Sequence, residues 1–599
     1  MNKAYLLLLL SVLIAGCRNN PQTMLGPDWT AAHDYYQSSL EQAIKDLESL
    51  EKMTASHSNS RELFHRVRIN FKRAEPFIAY LNPEVGHRVN GPALPVFKED
   101  NLRTMPPVGL QKIEESIYEG IDDDRLFRHE VFVTRGLMQN LLRQVKKREV
   151  NAERFFISTH QQLLRIITHG ITGFDTPVSQ AGITESAESL RSLNDVYSAS
   201  LSPLMEEKDP ELDGKLKETI ARAVTYLEKS DDFENFDRYE FIREYMNPLT
   251  RSWVEMRKRS GLWKGRDDFP FNFDAPTFFE SNSFNLKYFT PARNADPNEK
   301  QIALGEKLFF EKNLSQDGKM SCATCHLPSK AWTDQLRVNF DNRGELLQRN
   351  TPTLVNAAFQ QNFFWDGRAE NIIDQVGMVF TNEKEFDTPV HRFSDEILKD
   401  TAYIRLFEEA YGGVSARNTE VVKAIASYIS TLNGFNSKFD RNIRGEADTY
   451  TELEKKGFNL FTGKALCATC HFIPLTNGTV PPFYKETEKE VIGVPATAAN
   501  NSLDTDLGFF WKFEQPIHKG MFKTPGVRNV ALTAPYMHNG VYDSLEQVVD
   551  FYNQGGGAGL GMDLPHQTLP FDKLDLTEEE QKALVAFMKS LTDVPVKQL

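Results

Sequence analysis

Two short runs hold the most reactive side chains of this chain, Cys322-Ala-Thr-Cys325-His326 and Cys467-Ala-Thr-Cys470-His471. Their spacing lets one turn of backbone present two thiols and then an imidazole. That is the arrangement which bonds two porphyrin vinyl groups through thioethers and offers a nitrogen to the iron. Cys322, Cys325, Cys467 and Cys470 are therefore expected to attach two covalent c-type haems, with His326 and His471 as ligands of the haem iron. A structural zinc site is the competing use of cysteine and histidine, but nothing else in the chain completes a tetrahedron around either motif. The fifth cysteine, Cys17, stands apart, so no thiol is left for disulfides. What lies opposite each histidine decides the chemistry. A fixed sixth ligand gives electron transfer, and an open position gives reactions at the iron.

The elements that must position these motifs recur. A helix is expected at 299–310 ahead of Cys322 and at 451–461 ahead of Cys467, and a last helix at 578–591 closes the second unit. The repetition indicates two cytochrome c-like haem domains, 292–448 and 449–599. Upstream, apolar residues follow helical spacing, as in Leu40, Ala43, Ile44, Leu47 and Leu50, or Leu137, Leu141, Leu142 and Val145. Gly- and Pro-containing loops such as 83–95 interrupt them. Residues 27–265 read as a helical bundle. Between bundle and haem domains, 266–291 carries Phe269, Phe271, Phe273, Phe278, Phe279, Phe284 and Phe289 with prolines among them, lacks helical periodicity, and reads as an extended connector lying on a surface. The fold class is mainly α: an N-terminal helical bundle followed by two haem domains.

A chain of 599 residues divides into several compact units. Its net charge of -14 excludes nucleic acid and bare anionic membrane as partners and leaves a basic protein possible. Residues 1–16 have the charged start and short apolar run of an export signal, too short to span a bilayer. Leu13-Ile-Ala-Gly-Cys17 resembles the lipobox of bacterial lipoproteins. That resemblance implies cleavage before Cys17, lipidation of Cys17, a tether over 17–26, and membrane contact through the lipid anchor only. A plain cleaved signal with an incidental cysteine is the alternative.

From about Gln301 to Gly557 a series of ordered motifs is similar to bacterial dihaem cytochrome c peroxidases and their relative MauG. They are Gly305-Glu-Lys-Leu-Phe-Phe310, Leu314-Ser-Gln-Asp-Gly318, Ser321 to His326, Arg349-Asn-Thr-Pro-Thr-Leu354, Phe364-Trp-Asp-Gly-Arg368, Phe522-Lys-Thr-Pro525, Arg528-Asn529 and Thr533-Ala-Pro-Tyr-Met-His538. The resemblance implies that peroxide binds at the His326 haem and that electrons enter at the His471 haem. It sets Trp365 between the haems, Gln375 near the peroxide, and Glu385 as the distal acid–base group. A packed core aromatic is the plainer role for Trp365, Glu383 competes with Glu385, and Val379 stands where relatives carry proline.

Many of these peroxidases cap the resting iron with a histidine from the loop after the first haem motif. This chain has no histidine between His326 and His391. Asn342, Arg343 and Gly344 stand in that loop, so the first haem is expected to be open, as in MauG. The axial methionine of ordinary members aligns with Tyr552, where MauG-like proteins carry tyrosine, and a tyrosinate lowers the potential; Met537 is the rival ligand. Asn350, Thr533 and Pro535 match the family's calcium ligands, and capping of a turn beside Pro352 is the other use of Asn350. By the same resemblance the protein is expected in the periplasm or cell envelope.

The resemblance leaves roughly the first 280 residues uncovered. Gly109-Leu-Gln-Lys-Ile-Glu114 is weakly similar to the Gly-x-His-x-x-Glu pattern of imelysin-like helical proteins, with Gln111 in place of the histidine, so a docking or shielding domain is expected. Three functions follow: reduction of hydrogen peroxide with electrons from a small cytochrome or cupredoxin, MauG-like peroxide-dependent oxidation of a protein or organic substrate, and electron transfer without catalysis.

Overall fold

The computed structural model describes residues 26–593, except 99–102, 121–122, 230–231, 291–295, 389–396, 398, 413–417 and 571. The signal 1–16, Cys17 and the tether up to residue 25 lie outside the described residues.

The N-terminal half is a bundle whose principal helices are α1 (Trp29–Leu50), α2 (Ser60–Leu81), α3 (Asp124–Val145), α4 (Ala152–Arg165), α5 (Gly182–Ser200), α6 (Pro210–Leu227) and α7 (Asn247–Ser260). Polar caps start several of them: the side chains of Asp28, Asp123, Asn151 and Asp209 each accept a backbone N–H of the first turn. The stripe read from the sequence, Leu40, Ala43, Ile44, Leu47 and Leu50, is buried.

The first haem module contains α8 (Glu299–Phe309), α9 (Ile372–Thr381), α10 (Thr401–Tyr411) and α11 (Asn418–Ile429). The second contains α12 (Glu452–Thr462), α13 (Leu545–Asn553) and α14 (Glu578–Ser590). Capping boxes at Asn298/Gln301, Thr451/Glu454 and Thr577/Glu580 fix the starts of α8, α12 and α14.

One crossing is built twice. Helix α8 meets α11 at Gly305, where a Cβ would lie 1.8 Å from the Ala424 carbonyl oxygen, and α12 meets α14 at Gly457, where it would lie 1.9 Å from that of Ala583. Only glycine allows backbones this close. Edge-on aromatic pairs flank both crossings, Phe309 with Tyr428 at 5.4 Å and Phe461 with Phe587 at 5.0 Å. The internal repeat seen in the motifs is therefore a repeat of helix packing.

The hydrophobic core divides unequally. Leu304, Phe309, Phe407 and Ile425 belong to a core confined to the first module. Phe458, Phe461, Phe587 and Leu591 of the second module share one continuous core with Tyr197 and Trp253 of the bundle, and Phe359, Phe435 and Phe439 from the 292–448 stretch join it. The stretch 266–291 differs from expectation here. Phe271, Phe273, Phe278, Phe279, Phe284 and Phe289 are buried in that shared core rather than laid on a surface. Prolines confine helix in the segment to one turn at Leu286–Phe289, and its rings fill the seam between two larger bodies. Strand is sparse: β1 (Val96–Lys98) pairs antiparallel with β2 (Arg103–Met105), and β3 (Lys489–Val491) with β4 (Met521–Lys523), Glu490 opposite Phe522. Among the described residues no helix is long and apolar enough to cross a membrane.

Candidate haem site

A cavity of about 910 Å³ lies between the modules, and Cys325, His326, Cys467, Cys470 and His471 all line it. Cys322–Cys325 is a single helical turn started by Ser321 and Thr324, which satisfy each other's backbone N–H groups, and His326 N–H closes the turn on the Cys322 carbonyl at 3.0 Å. In the second motif Cys467–Thr469 is a 3₁₀ turn, and His471 N–H bonds to the Cys467 carbonyl at 2.8 Å.

Both imidazoles are oriented alike. His326 Nδ1 lies 3.1 Å from the Trp332 carbonyl oxygen and His471 Nδ1 lies 2.9 Å from that of Pro525. A carbonyl only accepts, so Nδ1 carries the proton and Nε2 keeps its lone pair for a metal. Burial lowers both imidazoles, His471 to about 4, which preserves the neutral form that ligates. Burial also pushes the Cys322, Cys325 and Cys467 thiols up to about 12. Two imidazoles and adjoining thiol pairs in one chamber fit two iron porphyrins.

On the His326 side, α9 presents Gln375 and Val379 to the cavity, and the turn after it presents Glu385. The carboxyl Oε1 of Glu385 accepts a hydrogen bond from Asn382 Nδ2 at 2.9 Å. Burial pushes this carboxyl up to about 7, against the opposing pull of Arg368 and of the Asn382 bond. Glu383, its competitor by sequence, is exposed. Sequence reasoning missed Asn382, although its spacing of three from Glu385 was a usable signal.

Trp365 also lines the cavity. Its indole N–H donates to the Asn350 carbonyl at 2.8 Å, and its own carbonyl accepts the Lys523 N–H of β4 at 2.7 Å. The ring is thus held within the first module while the Trp365 backbone is tied to the second.

On the His471 side, Tyr552 of α13 and Met537 share one wall and one small apolar cluster with Phe551 and Tyr542. Burial, followed by the nearby Cys470, raises the Tyr552 phenol above its ordinary value. Its hydroxyl makes no hydrogen bond among the described residues, so its oxygen is uncommitted.

Asn350, Thr533 and Pro535 all line the same cavity. Asn350 Nδ2 donates to the carbonyls of Leu336 at 2.9 Å and Arg337 at 3.3 Å. Its amide therefore ties distant loops together rather than capping a turn beside Pro352. Among the described residues, the Asn350 Oδ1 and the Thr533 and Pro535 carbonyls accept no hydrogen bond. Three free oxygens of amide and carbonyl type suit a calcium ion.

A family model for di-haem cytochrome c peroxidase matches residues 299–448. Cytochrome-c peroxidase IdrP2 of Denitromonas iodatirespirans is 32% identical over 321 residues, covering 51% of this chain and 84% of that one. Methylamine utilization protein MauG of Methylorubrum extorquens is 34% identical over 312 residues, covering 51% of this chain and 82% of that one. The chain belongs to the dihaem cytochrome c peroxidase/MauG family. This dihaem peroxidase is accordingly an oxidoreductase of the peroxidase type with haem cofactors. Among solved structures, a MauG-like protein associated with microbial copper homeostasis is 28% identical, with 51% of this chain and 92% of that chain covered and a TM-score of 0.45.

In this dihaem peroxidase the helical bundle supplies part of the haem cavity, which the sequence did not indicate. Leu94, Gln111, Gly173 and Phe174 reach its wall. The rings of His169 and Phe174 lie 5.7 and 5.4 Å from Phe472, the residue after the second haem histidine. Gln111, at the place of the expected imidazole, donates its amide to the Phe174 carbonyl at 2.7 Å and so pins that wall.

Proposed function

We propose that this protein reduces hydrogen peroxide to water on the His326 side of the cavity, with electrons from a small donor cytochrome or cupredoxin entering on the His471 side. The observation that carries this reading is Glu385, a cavity-lining carboxyl held at about 7 in the chamber that His326 shares. Cys322, Cys325 and His326 would hold one haem covalently, and Cys467, Cys470 and His471 the other. When bound, the haems supply iron centres that accept and release electrons one at a time.

The chain's own residues do the rest. Ionised Glu385 takes the proton from the nearer peroxide oxygen and returns it to the departing one, which leaves as water. With two electrons and two further protons, one peroxide gives two waters. Asn382 occupies Oε1 and leaves the second carboxyl oxygen for that proton. Gln375 offers an amide to the same chamber, and Trp365 bridges the two sides. A calcium ion on Asn350, Thr533 and Pro535 would fix the carbonyl that orients the Trp365 ring. The reading includes export to the periplasm and a lipid anchor at Cys17. It is tested by replacing Glu385 with Gln and following peroxide consumption.

Peroxide-dependent oxidation of a protein or organic substrate is the second reading. Tyr552, with its uncommitted oxygen in the wall beside His471, favours it, because a tyrosinate ligand would stabilise oxidised iron and slow the return of electrons from a donor.

A further inference from the structure

The segment that follows the first haem motif folds into a hairpin from Asn339 to Leu347. Phe340 pairs with Leu346, and the Leu347 N–H donates to the Asn339 carbonyl at 2.8 Å. At the tip, the Asp341 carboxylate accepts the N–H groups of Arg343 and Glu345, each at 2.9 Å. The Asp341 carboxylate thus satisfies two N–H groups of the tip, which is also docked. The backbone N–H of Asn342 donates to the Lys384 carbonyl at 3.1 Å. Its side-chain Nδ2 donates to the Glu383 carbonyl at 2.9 Å and to the Glu385 carbonyl at 3.0 Å. One residue therefore closes on three consecutive carbonyls, the last being that of the cavity carboxylate. From within the turn, Asn382 grips the Glu385 side chain and accepts the Lys384 N–H at 3.0 Å.

We infer that Asn342 is a positioning residue that aims the Glu385 carboxyl into the cavity. The inference rests on the acid–base reading of Glu385 given above. Proton transfer requires heavy atoms within about 2.6–3.2 Å, and the turn bearing Glu385 is a loop with no strand or helix of its own beyond α9. Asn342 supplies the rigidity that regular structure would otherwise give. The charged groups on the surrounding elements are Glu383, Lys384 and Asp387 on the turn, Asp366, Arg368 and Glu370 ahead of α9, Asp374 on it, and Asp341, Arg343 and Glu345 at the hairpin tip. Cys322 and Cys325 face the carboxyl too and cease to titrate once bonded to haem.

The test uses the haem-loaded protein and four variants: Asn342→Ala, Asn342→Asp, Glu385→Gln and the double variant Asn342→Ala/Glu385→Gln. The aspartate keeps the shape of Asn342 but cannot donate, which separates lost hydrogen bonds from lost packing. Both single changes at Asn342 should slow the second-order reaction with peroxide by about 10–10²-fold. The midpoint of the pH–rate profile should move below that of the unaltered protein as water reaches the loosened carboxyl. The double variant should be no slower than Glu385→Gln alone. Rates and pH profiles unchanged in both Asn342 variants would overturn the inference, as would an Asn342 effect that persists in full on the Glu385→Gln background. A Glu385→Gln protein that reacts normally would instead refute the acid–base reading itself, and the inference with it.

Discussion

Glu385 and Glu383 stand two residues apart on one turn, and only Glu385 lines the haem cavity, its Oε1 bonded to Asn382 at 2.9 Å. Sequence leaves the pair as rivals, and the direction in which the turn carries each side chain separates them. Glu385→Gln should slow the reaction with peroxide by about 10²–10⁴-fold, with both haem spectra preserved. Glu383→Gln should react like the unaltered protein. Rapid-mixing absorbance of the two variants checks both statements.

The same carboxyl sets a pH dependence. Its ordinary value of 4.5 is raised to about 7 by burial. A base must be ionised, so the peroxide rate should fall as pH drops through about 7. The effect on stability has the opposite sense: the folded protein holds this proton more tightly than the unfolded chain, so stability declines as pH rises from 4.5 to about 7. Glu385→Gln should remove that decline, which denaturant titrations at pH 4, 6 and 8 would reveal.

Tyr552 and Met537 share one wall of the cavity, and a single pair of substitutions divides their roles. Tyr552→Phe should change the absorption spectrum of the second haem and raise its potential, because a tyrosinate holds ferric iron more firmly than a neutral ligand does. Met537→Leu should leave both unchanged. The reverse outcome would transfer the ligand role to Met537.

The two Cys-x-x-Cys-His runs, the repeated helix crossing and the helices at α8, α12 and α14 were legible because each is written in short-range spacing. The buried phenylalanines of 266–291 were visible as residues but not as core, since a segment without periodicity does not say which bodies it joins. Nor did spacing reveal that Gln111 and Phe174 wall the haem cavity. Those contacts join residues hundreds of positions from the haem motifs and depend on how the bundle seats against the second module. Asn382 and Asn342 escaped for a related reason: their work is hydrogen bonding to one turn, and asparagine is common in loops whether or not it holds anything.

Gly305 and Gly457 admit a direct check of the repeated helix crossing. Alanine at Gly457 would place a Cβ 1.9 Å from the Ala583 carbonyl oxygen, so α12 and α14 must part. Gly457→Ala should destabilise the second module by about 1–3 kcal/mol. Gly214→Ala, on α6 where nothing lies within 4 Å, should not. Thermal unfolding of both variants measures the difference.

The shared core predicts how the units come apart. Phe458 and Phe587 bury themselves with Tyr197 and Trp253, so the bundle and second module should unfold in one transition, with the separate core around Leu304, Phe407 and Ile425 free to melt on its own. Calorimetry of the haem-loaded protein should therefore show at most two transitions. Three well-separated ones would refute the shared core.

The most direct measurement is stopped-flow absorbance of the fully ferric, calcium-loaded protein mixed with hydrogen peroxide, first alone and then with a reduced small cytochrome. A rapid peroxide-dependent change at the haems is expected, followed by catalytic oxidation of the cytochrome and loss of both steps in Glu385→Gln. A rapid change that the cytochrome leaves untouched would favour oxidation of another substrate over peroxide reduction, and no reaction with peroxide in either ferric or half-reduced protein would contradict the enzymatic reading altogether.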